Sequence, residues 1–383
     1  MKPWLGEEEA QAAAAAVASG WVAQGPRVKA FEDAFATRMA ASHAVAVSSA
    51  TAGLHLALVL VGAGPGDEVI VPSLSFIATA NAVRYVGATP VFADVELTTM
   101  NRSAQTIAPL ITARTKAVIL VHQAGAPADL DGVHALCDPA GIAVVEDAAC
   151  AIGATYQGGL IGSHSDLAVF SFHPRKLVTT GEGGMIAIRP DQWAVRARTL
   201  REHGMSLSAA ERHAQGAPAF EQYLETAFNY RMTDLQAAGG IVQLGRLEPM
   251  VARRRELAQR YQAALADLDG FLTATDPTWG TTNYQSFWVL LPDDLGVERN
   301  QVMARLHELG VSSRRGIMAA HLEQAYHGHP HVALPVTERL TRRSLILPLY
   351  HHLSESEQDQ VIAALRDAVG ANHRRTVSTR VAS

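Results

Sequence analysis

The sequence predicts an α/β fold, a mainly parallel sheet covered by helices, with a smaller α+β domain after it. Short runs such as EVIV, AVILV and IAVVE are apolar throughout instead of alternating, which is typical of strands covered on both faces. These runs alternate with helical patterns, as they do in βαβ units. The chain of 383 residues is also long for one ordinary domain, which favours two.

The first part of the chain is predicted to form two helices and then alternating strands and helices. An alanine-rich helix ends at Gly20, and a second helix follows the loop WVAQGP. The strand candidates are AVAV, EVIV, TPVFADV, AVILV and IAVVE, separated by helical patterns such as ATAGLHLALVLVG. We therefore expect a large α/β domain over residues 1–245 that includes the N-terminal helical segment.

The pattern changes near Leu235, where a long helical stretch begins and continues across Pro249. A strand candidate, NYQSFWVLLP, comes next, followed by a helix that ends at Gly310 and a capped C-terminal helix, SESEQDQVIAALRDAV. We expect a small α+β domain over residues 246–371. The remaining residues, 372–383, lack apolar periodicity and are expected to form a flexible tail.

The composition excludes several classes of protein. With 48% hydrophobic and 18% charged residues, the chain is neither disordered nor a coiled coil. The net charge of −5 gives no basic face for nucleic acid, and polar residues interrupt the one long uncharged stretch, so we expect neither nucleic acid nor a membrane as a partner. The start of the chain does not resemble a signal peptide, and two cysteines fit a reducing compartment, so the expected location is the cytoplasm.

The strongest chemical signal is a carboxylate and a lysine that each follow a strand. Asp147 ends the run IAVVED, and Lys176 lies between the apolar run LAVFSF and the turn GEGG. Ligands of open parallel sheets bind outside the carboxyl ends of the strands, where both side chains would project. A lysine that forms an imine and an aspartate that holds a pyridine nitrogen protonated would together serve pyridoxal phosphate. The spacing alone equally allows a surface lysine and a structural aspartate.

The sequences of these motifs resemble those of a known family. EDAACAIGA and FSFHPRKLVTTGEGG, supported by SSATAGLHLAL, DEVIVPSLSFIATANAVRYVGATPVFADV, NYRMTDLQAA and LILPLY, are similar to motifs of the nucleotide-sugar aminotransferases of the DegT/StrS type. Those proteins are pyridoxal phosphate enzymes of fold type I, the aspartate aminotransferase class. The resemblance runs from about Gly20 to Val369 and implies a mainly parallel, seven-stranded-type sheet in the large domain.

The resemblance also assigns roles to residues of this chain. It identifies Lys176 as the Schiff-base lysine and Asp147 as the partner of the pyridinium nitrogen. It implies that Ala50, Thr51 and Ser171 bind the cofactor phosphate and that Phe76 stacks on the cofactor ring. Cys150 would lie near the phenolic oxygen, at a position where the family usually has His or Gln. Asn229 matches a residue that reaches the phosphate from the neighbouring subunit, so a homodimer with shared active sites is implied.

Signals for the substrate are weaker. His321 lies in RRGIMAAHLEQAY, which resembles a segment that lines the sugar pocket, and is a candidate substrate contact. Arg314 and Arg315 just upstream could bind a phosphate or a donor carboxylate, with Arg315 as the candidate, or could be plain surface residues. The nearby histidines lack acidic or cysteine partners at ligand spacing, so no metal site is predicted.

The resemblance implies that the protein moves an amino group from an amino acid donor, glutamate or glutamine, to a keto-sugar. The first choice of acceptor is a nucleotide-linked keto-deoxysugar in amino-sugar biosynthesis, for an antibiotic or a polysaccharide. A cyclitol or other cyclic ketone without a nucleotide is an alternative acceptor. A non-catalytic binding or regulatory protein with the same fold is an alternative of another class. Because some family members with His in place of the lysine perform dehydration, Lys176 favours amino transfer.

Overall fold

The computed structural model describes residues 3–207 and 220–380, the last ten of them by their backbone alone. Its helices are α1 (Glu7–Ala18), α2 (Pro26–Met39), α3 (Ala50–Leu60), α4 (Ala78–Tyr85), α5 (Ala104–Ile107), α6 (Leu130–Cys137), α7 (Asp191–Leu200), α8 (Asp234–Gly245), α9 (Leu247–Leu265), α10 (Arg299–Glu308), α11 (Pro335–Arg343) and α12 (Glu355–Arg380). None of these helices is both long and apolar enough to span a bilayer.

The strands form one large sheet and two small ones. They are β1 (His43–Val47), β2 (Glu68–Pro72), β3 (Thr89–Ala93), β4 (Thr115–Val121), β5 (Ala143–Asp147), β6 (Thr155–Tyr156), β7 (Gly159–Leu160), β8 (Leu167–Ser171), β9 (Gly184–Ile188), β10 (Leu272–Thr273), β11 (Gly280–Thr281), β12 (Phe287–Leu290), β13 (Arg314–Arg315) and β14 (Ser344–Leu347).

The large sheet has seven strands in the order β1-β9-β8-β5-β4-β2-β3. The pairs from β8 to β3 are parallel, and β9 alone runs antiparallel to both of its neighbours, β8 and β1. This arrangement confirms the predicted mainly parallel sheet. It brings the carboxyl ends of β1, β2, β5 and β8 to the same edge.

Each strand of the large sheet is buried on both faces, which explains the uninterrupted apolar runs. In β1, for example, Ala44 and Ala46 pack into the cluster that includes Phe31 and Phe35 of α2. Val45 and Val47 belong to the opposite cluster, with Leu54 of α3. Because side chains alternate between the faces of a strand, each run must be apolar at every position to fill both clusters.

The polypeptide leaves the large domain through two consecutive helices. The sequence predicted one long helical stretch across Pro249, but α8 and α9 meet at Arg246, and Pro249 lies in the first turn of α9. Proline is tolerated there because the first backbone N–H groups of a helix have no intrahelical acceptor. The expected domain boundary at residue 246 stays a prediction.

The small domain is built on a four-stranded antiparallel sheet in the order β10-β12-β14-β13. Its core joins residues of this sheet to α9, α10 and α12, including Phe287, Leu306 and Leu365. The third sheet links this part of the chain to the large domain, because β11 pairs with β6. Helix α12 extends to Arg380, into the predicted tail 372–383, and residues 381–383 lie outside the described part.

Candidate active site

The candidate site lies where β1, β2, β5 and β8 end. Asp147 is the last residue of β5 and Ser171 the last residue of β8, its neighbour in the sheet. Helix α3 starts at Ala50, soon after β1, and Phe76 follows β2. The fold therefore brings together residues that are far apart in the sequence, as the carboxyl ends of parallel strands do.

Asp147 is held by hydrogen bonds from both sides of its carboxylate. The side chain is only 5% exposed. Its Oδ2 accepts a hydrogen bond of 2.8 Å from the Thr79 hydroxyl, and its Oδ1 accepts one of 3.2 Å from the backbone N–H of Ala149. The Ser75 hydroxyl lies 2.9 Å from that of Thr79. These contacts fix the carboxylate, and the sequence analysis missed Thr79 although it stands in the motif SFIATA.

Lys176 points toward the segment that follows Asp147. Its half-buried Nζ donates a hydrogen bond of 3.0 Å to the Sγ of Cys150, three residues beyond the aspartate. The structure therefore brings Lys176 next to the segment that follows β5. Asn283 holds the cysteine segment, because its side-chain amide donates to the carbonyl oxygens of Cys150 and Ile152, both at 2.8 Å.

The loop that carries Lys176 is anchored to the small domain by Gln285. The side chain of Gln285 accepts a hydrogen bond of 3.1 Å from the N–H of Leu177 and donates one of 2.6 Å to the carbonyl of Arg175. The backbone on both sides of Lys176 is thus held by the side chain of Gln285. The only signal for Gln285 in the sequence is a polar residue just before a strand, which is too common to identify a positioning residue.

The N-terminus of α3, with Ala50 and Thr51, is where the cofactor phosphate is expected to bind, and it is called the phosphate end below. Ser49 caps the helix, because its Oγ accepts a hydrogen bond of 3.1 Å from the N–H of Ala52, while Ala50 and Thr51 form the first turn. Ala50 is helical, so the methyl group that it carries in place of the usual glycine causes no backbone strain. The N-terminus of a helix attracts anions through its free N–H groups and its dipole.

Gly184 of the GEGG turn allows β9 to pass directly beside this helix start. A Cβ atom at Gly184 would lie 2.6 Å from the carbonyl carbon of Ser49 and 2.7 Å from the nitrogen of Ala50. Any side chain there would displace the backbone of the phosphate end. Ser171, 8% exposed, completes this end, and its Oγ accepts a hydrogen bond of 3.4 Å from the N–H of His173.

Two of the predicted cofactor contacts face solvent. The ring of Phe76 is 71% exposed. Asn229 is exposed as well, and the next residue, Tyr230, accepts a backbone hydrogen bond of 2.8 Å from Ser48. The NYRM segment therefore lies beside the phosphate end of its own chain, and a contact of Asn229 with a neighbouring subunit remains a prediction.

His321 lies at the end of β2, but its side chain is engaged within the protein. Its Nδ1 is 2.5 Å from the Ser73 Oγ, which also accepts the backbone N–H of His321 at 3.2 Å. The His321 side chain is 2% exposed, and this burial lowers the pKa of the imidazole. His321 therefore joins the small-domain segment to the strand that leads to Phe76, and its role as a substrate contact remains a prediction.

Arg315 is directed away from its sequence neighbour, Arg314. Its guanidinium is 61% exposed and lies 3.7 Å from the carboxylate of Glu323. A contact of Arg315 with the substrate also remains a prediction. Among the side chains that the structure describes, those of residues 3–207 and 220–370, no three His, Cys, Asp or Glu are grouped so that they could hold a metal ion.

A cavity beside Lys176 is formed by residues that the motif comparison did not include. It is lined by Pro3, Trp4, Lys176, Leu177, Met250, Arg254 and His351. The rings of Trp4 and His351 stack with centroids 3.6 Å apart. Burial lowers the pKa of His351, and the positive charges of Arg253 and Arg254 lower it further. The N-terminal segment and the small domain thus form one wall of the site.

The donor set fits pyridoxal phosphate. A fixed carboxylate at Asp147 suits a protonated pyridine nitrogen, and the amine of Lys176 suits an aldehyde carbon. A helix N-terminus with the hydroxyl groups of Thr51 and Ser171 suits a phosphate, and the open ring of Phe76 offers a face for stacking. These four chemical functions lie at the same edge of the sheet.

Several solved structures have the same fold. The aminotransferase TlmJ from Streptoalloteichus hindustanus is 37% identical, with a TM-score of 0.89 over 97% of this chain and 98% of that chain. DesV from S. venezuelae, solved in complex with a ketimine intermediate, is 34% identical, with a TM-score of 0.87 and 94% of each chain covered.

The putative sugar aminotransferase Spr1654 from Streptococcus pneumoniae, in its PMP form, is 27% identical, with a TM-score of 0.91 over 97% of this chain and 98% of that chain. A model of the DegT/DnrJ/EryC1/StrS aminotransferase family matches residues 3–366. The fold, the cofactor and the enzyme class expected from the sequence motifs are thereby confirmed. This chain belongs to the DegT/DnrJ/EryC1/StrS family of pyridoxal phosphate-dependent aminotransferases.

Proposed function

We propose that this enzyme transfers an amino group from L-glutamate or L-glutamine to the ketone of a nucleotide-linked keto-deoxysugar in amino-sugar biosynthesis. The observation that carries the proposal is the position of Lys176, whose Nζ lies 3.0 Å from Cys150 at the carboxyl end of β5. The amine therefore lies near the strand end that carries Asp147, whose carboxylate accepts a hydrogen bond from Thr79, and this supports the proposal. The similarity to the putative sugar aminotransferase Spr1654 supports the choice of a sugar as acceptor.

Pyridoxal phosphate supplies an electron sink when it is bound. Asp147, with both of its oxygens already oriented by hydrogen bonds, would hold the protonated pyridine nitrogen through its negative charge. The free amine of Lys176 is the group that would remove the proton from the Cα of the donor. In the second half-reaction it would deliver a proton to the carbon of the acceptor ketone. Cys150 offers only a weak thiol donor next to the amine, in the place where the family usually has His or Gln.

Residues of the small domain and the N-terminal segment enclose the space next to Lys176. Gln285 anchors the lysine loop, and the stacked rings of Trp4 and His351 line the cavity next to Lys176. Water that reached the reacting carbon would compete with the acceptor, so a wall of aromatic rings protects the transfer. Donor and acceptor would use this space in turn, which predicts ping-pong kinetics.

The assembly that we propose is a homodimer with shared active sites, located in the cytoplasm. Phe76, at 71% exposure, and the exposed Asn229 leave polar and aromatic groups of the cofactor region open in a single chain. A second subunit would cover them. Mixing Lys176→Ala with Asn229→Ala protein tests this: restored activity in the mixture supports shared sites, whereas no restoration despite proven exchange of subunits contradicts them.

The acceptor can be tested in two separate half-reactions. L-glutamate and L-glutamine are first added to the holoenzyme, and the change in cofactor absorbance reports amination. The aminated enzyme is then exposed to a panel of 3-keto and 4-keto sugar nucleotides, the same sugars without the nucleotide, and cyclitol ketones. Faster return of the starting absorbance with a sugar nucleotide supports the proposal, and a preference for cyclitol ketones contradicts it. Holoenzyme that neither donor aminates would favour a non-catalytic protein.

A further inference from the structure

A histidine at the end of β4 contacts the last two residues of β5. The backbone N–H of His122 donates a hydrogen bond of 3.1 Å to the carbonyl oxygen of Asp147, which extends the pairing of the two strands by one residue. The Nε2 atom of its imidazole lies 2.7 Å from Oε2 of Glu146. The side chains of His122 and Glu146 are both fully buried. His122 therefore holds the strand end that carries Asp147 by its backbone and by its side chain.

The hydrogen bonds of this imidazole determine which of its nitrogens carries the proton. The Nδ1 atom of His122 accepts a hydrogen bond of 3.0 Å from the backbone N–H of Ala128. Because an accepting ring nitrogen carries no proton, Nε2 carries it and donates to the Glu146 carboxylate. The ring is thus fixed at both of its nitrogens. A change that removed the Nε2 donor would leave the buried carboxylate without this partner, which costs free energy.

The turn after His122 leads directly to the segment that holds the lysine loop. Ala124 and Gly125 have positive φ angles of 55° and 97°. The carbonyl oxygen of Ala124 accepts a hydrogen bond of 3.2 Å from the N–H of Ser286, and that of Gly125 accepts one of 3.4 Å from the N–H of Asn283. A Cβ atom at Gly125 would overlap the Asn283 side chain, so only glycine allows this approach.

Two neighbouring polar residues, Asn283 and Gln285, join this turn to the loop of Lys176 and to the residues after β5. The side-chain amide of Asn283 binds the carbonyl oxygen of Cys150, and the side chain of Gln285 binds the backbone on both sides of Lys176. The backbone N–H of Gln285 donates to Oδ1 of Asn283 at 2.8 Å. His122 is thus the buried end of a continuous set of contacts that reaches the end of β5 on one side and the lysine loop on the other.

We propose that His122 is a positioning residue that fixes Asp147, the partner of the pyridine nitrogen, relative to Lys176. His122 is fully buried, so it acts on a bound cofactor through these neighbours. The attraction between a carboxylate and a protonated nitrogen depends on their distance and orientation, so a displaced Asp147 would hold the proton on the nitrogen less tightly. The inference rests on the role given to Asp147 in the proposed function, and its test measures that role separately.

The test measures the protonation of the cofactor without turnover. Each holoenzyme is loaded with pyridoxal phosphate whose ring nitrogen is isotopically labelled, and NMR of that nitrogen reports its protonated fraction as a function of pH. His122→Gln keeps a donor close to the position of Nε2, whereas His122→Asn keeps an acceptor close to the position of Nδ1 and lacks the donor. His122→Leu combined with Glu146→Leu removes both buried polar groups and so leaves no unpaired buried charge. Thermal unfolding of each variant shows whether it is folded.

We expect the ring nitrogen to stay protonated at neutral pH in the wild type and in His122→Gln. In His122→Asn and in the double variant, its proton affinity should fall about tenfold. The double variant separates positioning from stability, because it should unfold close to the temperature of the wild type and still hold the proton less tightly. His43→Gln is the matched control, because His43 also pairs with a carboxylate, that of Asp191 at 2.8 Å, but at the opposite end of the sheet, where β1 begins. We expect this control to match the wild type.

Three results would overturn the positioning role. All the His122 variants could keep the proton affinity of the wild type, or His122→Gln could lose as much as His122→Asn. Alternatively, a stable double variant could hold the proton like the wild type, which would leave His122 with a purely structural role. Failure of the proposed function looks different, because Asp147→Asn would then leave the protonation of the ring nitrogen unchanged, or neither donor would aminate the wild-type holoenzyme.

Discussion

The candidate site has a large-domain wall, formed by the strand ends and the start of α3, and a small-domain wall, formed with the N-terminal segment. The two walls differ in how many of their polar groups have hydrogen-bond partners within the protein. On the large-domain wall, both oxygens of Asp147 accept hydrogen bonds, and Ser49 caps the helix at the phosphate end. On the small-domain wall, Nδ1 of His351 is buried without a hydrogen-bond partner. A fixed, satisfied wall suits a resident cofactor, whereas unsatisfied groups suit substrates that come and go.

The largest expected effect is on the residue that faces both walls. Lys176→Ala removes the amine that forms the imine and moves the proton, so amino transfer should fall at least about a thousandfold. Steady-state assays with excess donor and acceptor measure this loss. Lys29→Ala is the control, because Lys29 is exposed and paired with Asp33. Comparable rates for Lys176→Ala and Lys29→Ala would contradict the assigned role.

The next effect tests the large-domain wall at Asp147. Asp147→Asn keeps the shape of the side chain but removes the negative charge opposite the pyridine nitrogen, so kcat should fall about a hundredfold or more. Thr79→Val keeps the charge and removes one hydrogen bond to it, so a loss of about tenfold is expected. Half-reaction rates and the cofactor absorption band are measured for both variants. A band that is unchanged in both would show that Asp147 is not next to the ring.

The phosphate end depends on close approach of backbones. Gly184→Ala places a Cβ 2.6 Å from the carbonyl carbon of Ser49, so the start of α3 must move. We expect cofactor affinity to fall about tenfold and unfolding free energy to fall by about 1–3 kcal/mol. Fluorescence titration of the apoenzyme and urea unfolding measure the two effects. Gly239→Ala, in α8 with open space around it, should keep cofactor affinity; equal losses in both variants would argue against a special role for Gly184.

The smallest effect concerns the link between the walls at His321. Burial lowers the pKa of this imidazole, and His331 lowers it further, although Glu338 and Asp94 act in the opposite direction. The unfolded chain, with an ordinary histidine pKa near 6.5, therefore binds this proton first as the pH falls. Stability contributed at this site should decline below about pH 6.5. Urea unfolding at neutral and acid pH should show a smaller decline in His321→Asn; an equal decline would contradict this coupling.

The large-domain wall could be predicted from the sequence because its residues occur in local motifs. Asp147 and Ser171 are the last residues of β5 and β8, Lys176 lies in the loop after β8, and parallel strands bring such positions to one edge. The expected helix N-terminus at Ala50 and Thr51 was also correct, although the capping residue is Ser49. In these cases chain order and secondary structure determine which groups converge.

The small-domain wall could not be predicted in the same way. Gln285 reaches the lysine loop from just before β12, and Trp4 and His351 meet from opposite ends of the chain. Such contacts depend on how the two domains pack. The faces of the small sheet that Arg314 and Arg315 occupy depend on strand register, because a shift of one residue reverses the face to which each arginine points.

The most direct measurement is reduction of the holoenzyme with borohydride, followed by digestion and mass spectrometry. The peptide mapping covers all four lysines of the chain. We expect a reduced cofactor adduct on the peptide that contains Lys176, and its disappearance in Lys176→Ala. An adduct on Lys2, Lys29 or Lys116 instead, or no adduct on a lysine although the protein has been loaded with the cofactor, would contradict the assignment of this lysine and the site built around it.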